Sequence, residues 1–271
     1  MKELLKYYKR GNTKFDKMDL TLNRNLKLKY KSNSQKIRVI TEDWTAREIF
    51  CPNCGFSVKQ YPANKPVADF YCDRCIEDFE QKSKLGRFGK KIPAGEYNKM
   101  IARILSKQKP NFFFMGYLKS MSIDNFFVVP KYLFIPEIIE KRKPLAKTAR
   151  RAGWVGSNIL FYNIPKDGQI YYIKNGIEID KKIVLEAWQK IAFIKNIRKV
   201  ESKGWILDIM NCLDELKSDE FSLEEIYKFE KKLKELHPEN NNIRPKIRQQ
   251  LQFLRNKGYL KFLGNGMYRK N

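Results

Sequence analysis

Up to Ile197, the apolar residues of this chain recur in two patterns, one helical and one extended. Apolar side chains at helical spacing predict helices over 94–105 and 183–197. The short runs 111–118 and 125–129 are rich in Phe and Val, which predicts buried strands. Because helices and strands alternate, the pattern indicates an α+β fold with an α/β core.

Weaker signals lie between these segments. Residues 32–50 mix polar and apolar side chains and are expected to pack as a helix, whereas the short polar segment 79–84 is expected to form a strand. Asn175-Gly176 suits a type I′ turn, which predicts a hairpin between the runs 169–173 and 177–179.

After Ile197 the pattern becomes mostly helical and ends in a second hairpin. Ser222 and Glu225 are spaced as a capping box, which starts a helix. A later helix is predicted over 242–257, with one apolar face and Gly258 at its end. Helices followed by a hairpin are typical of a winged helix. We therefore divide the chain into an N-terminal extension (1–17), an α+β domain (18–198) and a winged-helix domain (199–271).

The charge of the chain indicates a polyanionic partner. It carries 55 Lys and Arg against 30 Asp and Glu, for a formal net charge of +25 and a pI near 9.8. This excess is typical of nucleic-acid binders, although a ribosome-associated protein or a merely basic proteome would share it. The sequence has no 18-residue apolar run and no signal-peptide pattern, so we expect a prokaryotic cytoplasmic protein without a membrane partner.

A single histidine, His237, narrows the possible chemistry. Ser-His-Asp, Cys-His and His-metal sites all need a positioned histidine, and His237 lies in a Leu-His-Pro sequence that resembles a helix end. Any catalysis by this chain must therefore use carboxylates and lysines.

Two CxxC pairs, Cys51 with Cys54 and Cys72 with Cys75, are separated by 17 residues. Tetrahedral Zn²⁺ takes four soft ligands at about 2.3 Å, and two such knuckles supply them as thiolates. A redox motif would need only one pair. Because four thiolates leave no open coordination position, we expect a structural Zn²⁺. Cys212 lies apart on an apolar helix face and is interpreted as a core residue.

Three residues around the second knuckle are candidates for catalysis: Asp69, Glu80 and Lys82. Glu80 and Lys82 are two residues apart, so on a strand their side chains face the same side. If the segment of Asp69 pairs with that strand, the three side chains converge. Two carboxylates suit Mg²⁺, which lowers the pKa of a bound water and stabilises charge on a scissile phosphate. The spacing alone is a weak signal, and a solvated hairpin face is the alternative.

The helix predicted over 242–257 has the composition of a DNA-recognition helix. After Glu239 the chain has eight Lys and Arg and no acid. We expect this helix to enter a major groove while the hairpin contacts the backbone, and a solvated polar face is the alternative. The side chains of this helix expected to contact DNA are Lys246, Arg248, Gln249 and Gln252, and in the α+β domain the expected contacts are Arg150, Arg151 and Trp154.

Several blocks of the sequence resemble the DpnI family of restriction endonucleases. The resemblance runs from Met18 to the C-terminus and does not cover the residues before Met18. The blocks that carry it are YKSNSQK (30–36), TEDW (41–44), CPNCG (51–55), PVADFYC (66–72), NFFF (111–114), RKPLA (142–146), TARRAGW (148–154), IRQQL (247–251) and GMYRK (266–270).

The resemblance implies a PD-(D/E)XK nuclease domain followed by a winged helix. Asp69, Glu80 and Lys82 would act with Mg²⁺, and the four cysteines would hold Zn²⁺. The substrate would be duplex DNA that carries N6-methyladenine in GATC, with both domains reading sequence and methylation. We expect a monomer that uses no small-molecule cofactor.

A methylated adenine needs a particular kind of reader. The N6-methyl replaces the hydrogen that faces the major groove, so the reader must offer an apolar or aromatic wall. Trp154, beside Arg150 and Arg151 in a strongly basic loop, is the best-placed candidate in the α+β domain. A tryptophan packed in the core is the alternative.

Two other functions stay open from the residues alone. A non-catalytic, zinc-containing regulator would bind DNA through its winged helix and would need none of Asp69, Glu80 and Lys82. An RNA-binding or ribosome-associated protein would also explain the charge. Mg²⁺-dependent nicking of methylated plasmid separates the nuclease from both.

Overall fold

The computed structural model describes residues 17–29, 32–62 and 68–271, so the expected N-terminal extension lies, except for Lys17, outside the described residues. The α-helices of the described residues are α1 (Asn33–Glu48), α2 (Tyr97–Leu105), α3 (Lys181–Ile191), α4 (Val200–Glu215), α5 (Leu223–Tyr227), α6 (Glu230–Leu236) and α7 (Ile243–Asn256). Short 3-10 helices cover Arg24–Lys29, Lys131–Leu133, Pro136–Ile138, Phe161–Asn163, Lys166–Gly168 and Ala192–Asn196.

Strands of the described residues form three sheets. The strands are β1 (Lys59–Gln60), β2 (Phe70–Tyr71), β3 (Asp78–Leu85), β4 (Lys91–Glu96), β5 (Asn111–Tyr117), β6 (Ile123–Val129), β7 (Ile139–Lys141), β8 (Gly156–Leu160), β9 (Ile170–Lys174), β10 (Ile177–Glu178), β11 (Glu220–Ser222), β12 (Leu260–Gly264) and β13 (Met267–Lys270). No helix within these residues is long and apolar enough to cross a bilayer.

The central sheet has seven strands in the order β1-β2-β3-β5-β6-β9-β10. Its neighbours are antiparallel except for β3 and β5, which are parallel and therefore need a crossover, here β4 and α2. Both faces of this sheet are covered. In β6, Phe126 contacts Trp44 of α1 at a centroid distance of 5.4 Å, and Phe127 contacts Phe161 on the opposite face, also at 5.4 Å. This two-sided burial explains why the strands read as continuous apolar runs.

A second sheet, β4-β8-β7, was not anticipated from the sequence. Its first strand includes residues 94–96, so the predicted helix 94–105 is too long and begins at Tyr97. Pro93 and Gly95 weaken the strand pattern of β4, because both residues are depleted in strands. The predicted helix 183–197 likewise ends at Ile191 and continues as a 3-10 helix.

The C-terminal part is a winged helix, as predicted. Ser222 and Glu225 form the capping box of α5, with both reciprocal hydrogen bonds present. The hairpin β12-β13 turns through Gly264, Asn265 and Gly266, which all have positive φ. A three-residue strand, β11, joins this hairpin in a sheet of order β11-β13-β12 and was not predicted. The α+β class with a C-terminal winged helix is therefore confirmed.

The two parts pack against each other. Tyr259 donates a hydrogen bond of 2.6 Å to Asp167 Oδ2, and Lys190 reaches the same oxygen at 3.0 Å. The backbone N–H of Lys166 donates to Asp214 Oδ2 at 2.7 Å, which fixes α4 against the α+β part. These contacts hold α7 in a defined position relative to the central sheet.

Candidate active site and DNA interface

The four cysteines of the two CxxC pairs lie together, with all four sulfur atoms within 4.8 Å of one another. The distances from Cys51 Sγ to Cys75 Sγ and from Cys54 Sγ to Cys72 Sγ are both 3.4 Å. A tetrahedral Zn²⁺ with sulfur ligands at about 2.3 Å needs S···S distances of about 3.8 Å, so this four-cysteine cluster fits the ion.

The two knuckles have the same backbone design. Gly55 N–H donates to Cys51 O at 2.8 Å, and Ile76 N–H donates to Cys72 O at 3.0 Å. The residue after each second cysteine has a positive φ, 78° at Gly55 and 57° at Ile76. Glycine adopts this conformation at no steric cost, whereas a β-branched residue is strained there.

The second knuckle connects the segment of Asp69 to β3. Phe70 and Tyr71 pair antiparallel with Phe79 and Asp78, as the sequence hypothesis required. Beyond Phe79, no described residue forms a strand on this side of β3, so its edge is open. Gln81 N–H points to that edge and donates to Asp69 Oδ2 at 2.7 Å. The carboxylate of Asp69 therefore lies at the open edge of β3.

Glu80 and Lys82 share the face of β3 that α2 covers. Lys82 Nζ lies 3.0 Å from Glu80 Oε1, and Arg103 Nη2 of α2 lies 3.0 Å from Glu80 Oε2. Two cations thus flank one carboxylate. Gln81 faces the other side of the strand, where its amide donates to Ser83 Oγ.

A second ion-pair network, which the sequence hypothesis did not include, joins α1 to Asp69. Arg38 Nε contacts Glu42 Oε1 at 2.5 Å, and Arg38 Nη2 contacts Asp69 Oδ1 at 2.9 Å. Burial raises the pKa of Glu42, and the hydrogen bond from Arg38 opposes this rise. Burial also raises the pKa of Asp69, against the Gln81 N–H, which lowers it. The i,i+4 spacing of Arg38 and Glu42 was the available sequence signal, but such pairs are common on solvated helices.

Both networks open into one cavity of about 780 Å³ between α1 and β3. Its wall includes Asp69, Glu80, Arg38 and Arg103. Lys82 does not line the cavity but contacts Glu80, which does. Three acids line it, Glu42, Asp69 and Glu80, and carboxylate oxygens are ligands that Mg²⁺ prefers. In a strand the N–H and C=O of one residue point to the same side, so the Gln81 carbonyl also faces the open edge. This donor set fits a hard divalent cation.

The exposed face of α7 carries polar side chains without acids. Arg248, Gln249 and Gln252 are exposed, whereas Ile247, Gln250 and Leu251 are buried. Lys246 is half-buried, with its Nζ 5.8 Å from the Trp205 ring centroid. Three of the four side chains of α7 that are expected to contact DNA are therefore exposed, and Lys246 lies at the side of the helix.

The basic loop between β7 and β8 holds Trp154. Its ring is half-buried and lies against the backbone of Gly156, where an added Cβ would come within 2.7 Å of the ring. The Arg151 guanidinium lies 4.6 Å from the centroid of the same ring. Arg150 and Arg151 are exposed. Trp154 thus packs on its own loop and is not a residue of the central core.

Comparison with protein families gives two matches. Residues 18–197 match the model described as "DpnI: Dam-replacing family". Residues 201–270 match the model described as "DpnI_C: Dam-replacing HTH domain". Together the matches include the zinc knuckles, the cavity and α7.

Proposed function

Because this chain belongs to the DpnI family of restriction endonucleases, we propose that it cleaves duplex DNA at GATC sites methylated on adenine N6. The proposed reaction is Mg²⁺-dependent hydrolysis of the phosphodiester bond by a monomeric cytoplasmic enzyme. Its parts are a catalytic domain (18–198) with the PD-(D/E)XK arrangement and a DNA-binding winged-helix domain (199–271).

One observation carries this proposal: Asp69 and Glu80 face the same cavity at the open edge of β3. A non-catalytic regulator would gain nothing from two carboxylates held by cations in a cavity, and family membership also favours the nuclease. The four-cysteine cluster supports this geometry, because zinc bound there would fix the turn between Asp69 and β3.

Each side chain of the proposed site would have a separate role in the hydrolysis. Asp69 and Glu80 would hold Mg²⁺, which when bound lowers the pKa of a water and offsets charge on the phosphate. Lys82, whose cationic Nζ lies 3.0 Å from Glu80 Oε1, would position the attacking water, help the metal to deprotonate it, and offset the charge on the phosphate. Arg38 keeps Asp69 in place through the 2.9 Å contact. The four-cysteine cluster would hold a Zn²⁺ with a structural role only.

Recognition would use both domains. Gln249 and Gln252, exposed on α7, would contact base edges, whereas Lys246, Arg248, Arg150 and Arg151 would contact phosphates. Trp154 would provide the apolar wall for the methyl group. One buried methyl contributes only about 0.8 kcal/mol, so two methyls read once give roughly tenfold preference. Reading by two domains in succession would multiply that preference.

The test is to digest one plasmid, prepared with and without adenine methylation, with Mg²⁺ at one salt concentration. We expect cleavage of the methylated plasmid and little cleavage of the other, with Asp69→Ala as the control for contaminating nucleases. Equal cleavage of both plasmids would overturn the methyl specificity. Binding without any cleavage would favour the regulator.

The role of Trp154 is tested on the same pair of substrates. Trp154→Ala is expected to lower the ratio of methylated to unmethylated cleavage, because it removes the wall that contacts the methyl. If the variant slows both reactions equally, Trp154 only supports its loop. Thermal melting of the variant checks that the loop is still folded.

A further inference from the structure

We infer that Arg103 is a further catalytic residue, which binds the non-bridging oxygens of the phosphate that is cleaved. This assignment rests on the proposed nuclease function and names a contact for its substrate. Arg103 belongs to α2, in the crossover between the parallel strands β3 and β5. Met100 and Ile104 of α2 are buried, and this packing fixes the direction of Arg103.

The charges of the cavity are not evenly distributed. On the α1 side, Arg38 lies between two acids, Glu42 and Asp69, so that side is negative. On the α2 side, Glu80 lies between two cations, Lys82 and Arg103, so that side is positive. The positive side has the charge that a phosphodiester needs, and the acids lie directly beside it.

Of the two cations around Glu80, Arg103 is the one that lines the cavity. Its side chain is 31% exposed, so a ligand in the cavity can reach it. Its Nη2 lies 3.0 Å from Glu80 Oε2, so the guanidinium is held beside a carboxylate of the proposed metal site. A guanidinium is a planar fork of donors, which matches phosphate oxygens in a way that a lysine cannot. The cavity of about 780 Å³ has room for a nucleotide unit beside this group.

The sequence alone would not have singled out Arg103. It lies in the last turn of a helix with apolar residues at Met100, Ile101 and Ile104, where a basic residue is commonly a solvated neighbour of the helix dipole. Only the parallel pairing of β3 with β5 brings this turn beside Glu80.

The experiment measures binding rather than cleavage. The cut position is first mapped on methylated duplex with the wild-type enzyme. A matched duplex then carries a neutral methylphosphonate at that position. Affinity for both duplexes is measured without divalent metal in the Asp69→Ala background, with and without Arg103→Ala. Arg47→Ala, which removes an equal charge on α1 where Arg47 pairs with Asp43, is the matched control.

We expect Arg103→Ala to weaken binding of the normal duplex about tenfold, as for a charged hydrogen bond, and to leave the methylphosphonate duplex unaffected. Arg103→Lys should lie between these limits, and it serves as the readout if the alanine variant does not fold. Arg47→Ala should affect both duplexes equally. Equal losses on both duplexes for Arg103→Ala would overturn the inference alone. A wild type that cuts nothing would overturn the proposed function as well.

Discussion

The proposed catalytic site and the exposed face of α7 differ in how their charged side chains are paired. At the proposed site, Asp69, Glu80 and Lys82 are 16%, 24% and 20% exposed, and each is held by an oppositely charged side chain or a backbone N–H. On α7, Arg248 and Gln249 are exposed, and no ion pair within the described residues involves Arg248.

This difference agrees with the proposed division between catalysis at the cavity and DNA recognition on α7. Catalysis depends on groups that are already oriented before the reaction, because orienting them during the reaction adds to the barrier. Recognition depends on donors and acceptors that are still available to base edges and phosphates. Changes in the cavity should therefore affect rate, and changes on α7 should affect affinity and its salt dependence.

The largest effect is expected from disrupting the four-cysteine cluster, which supports the segment that carries Asp69. Cys72→Ser takes away one of four zinc ligands, and structural zinc contributes on the order of 10 kcal/mol of binding free energy. We expect misfolding or loss of soluble protein, measured by zinc content and thermal melting. Cys212→Ala, at a buried cysteine outside the cluster, is the control and should still bind zinc. A folded, active, zinc-free Cys72→Ser enzyme would contradict the structural role.

The second prediction tests directly whether cleavage at the cavity can be lost while DNA binding is kept. Asp69→Ala is expected to lower cleavage by about 1,000-fold, because it removes a carboxylate proposed to bind Mg²⁺. Affinity for methylated duplex, measured by gel shift, should change little because the proposed role of Asp69 is to bind metal and not base edges. Loss of binding together with cleavage would assign Asp69 a structural role instead.

The third effect belongs to α7. Arg248→Ala should weaken binding to any duplex about fivefold and reduce the slope of log affinity against log salt by about one, as for one phosphate contact. Arg244→Ala is the matched control, because Arg244 is held by Glu230 at 2.8 Å and should contribute less. An unchanged salt slope for Arg248→Ala would place this side chain outside the DNA contact.

The sequence alone could predict features that depend on residues close together in the chain, but not those that depend on contacts between distant segments. The cysteine spacing, the E-x-K pattern and the polar face of α7 are local, and the structure has Asp69 and Glu80 at one cavity as the pairing hypothesis required. Arg38 and Arg103 were missed because Asp69 and Glu80 are brought to them by tertiary packing, and Glu42 was missed because its i,i+4 pair with Arg38 is a common pattern on solvated helices. The strands β4 and β11 were missed because one contains Pro and Gly and the other has three residues.

The fourth prediction concerns Lys109 in the α+β part, which forms no ion pair with an acid among the described residues. Burial, followed by repulsion from Lys203 and Lys131, lowers the pKa of Lys109 to about 8. Between pH 8 and the ordinary pKa of about 10.5, the unfolded chain binds more protons, so stability rises with pH. Lys109→Met should raise the free energy of unfolding by about 1 kcal/mol at pH 7, after allowance for solvent screening. Melting curves should show this gain shrinking towards pH 10; a gain that is independent of pH would contradict it.

The smallest effect tests whether the zinc knuckles store backbone strain. Ile76 is 86% exposed and has a φ of 57°, whereas Gly55 fills the equivalent position of the other knuckle with a φ of 78°. Ile76→Gly loses little burial and relieves a strained conformation, which costs of order 1 kcal/mol, although glycine also makes the unfolded chain more flexible. The net expectation is a gain of about 0.5 kcal/mol, a rise in Tm of a degree or two with zinc content unchanged. Gly55→Ala should shift Tm in the opposite direction, because it introduces the strain that Ile76→Gly removes. If both variants lower Tm, the positive φ at Ile76 carries no strain, and the two knuckles are stabilised in different ways.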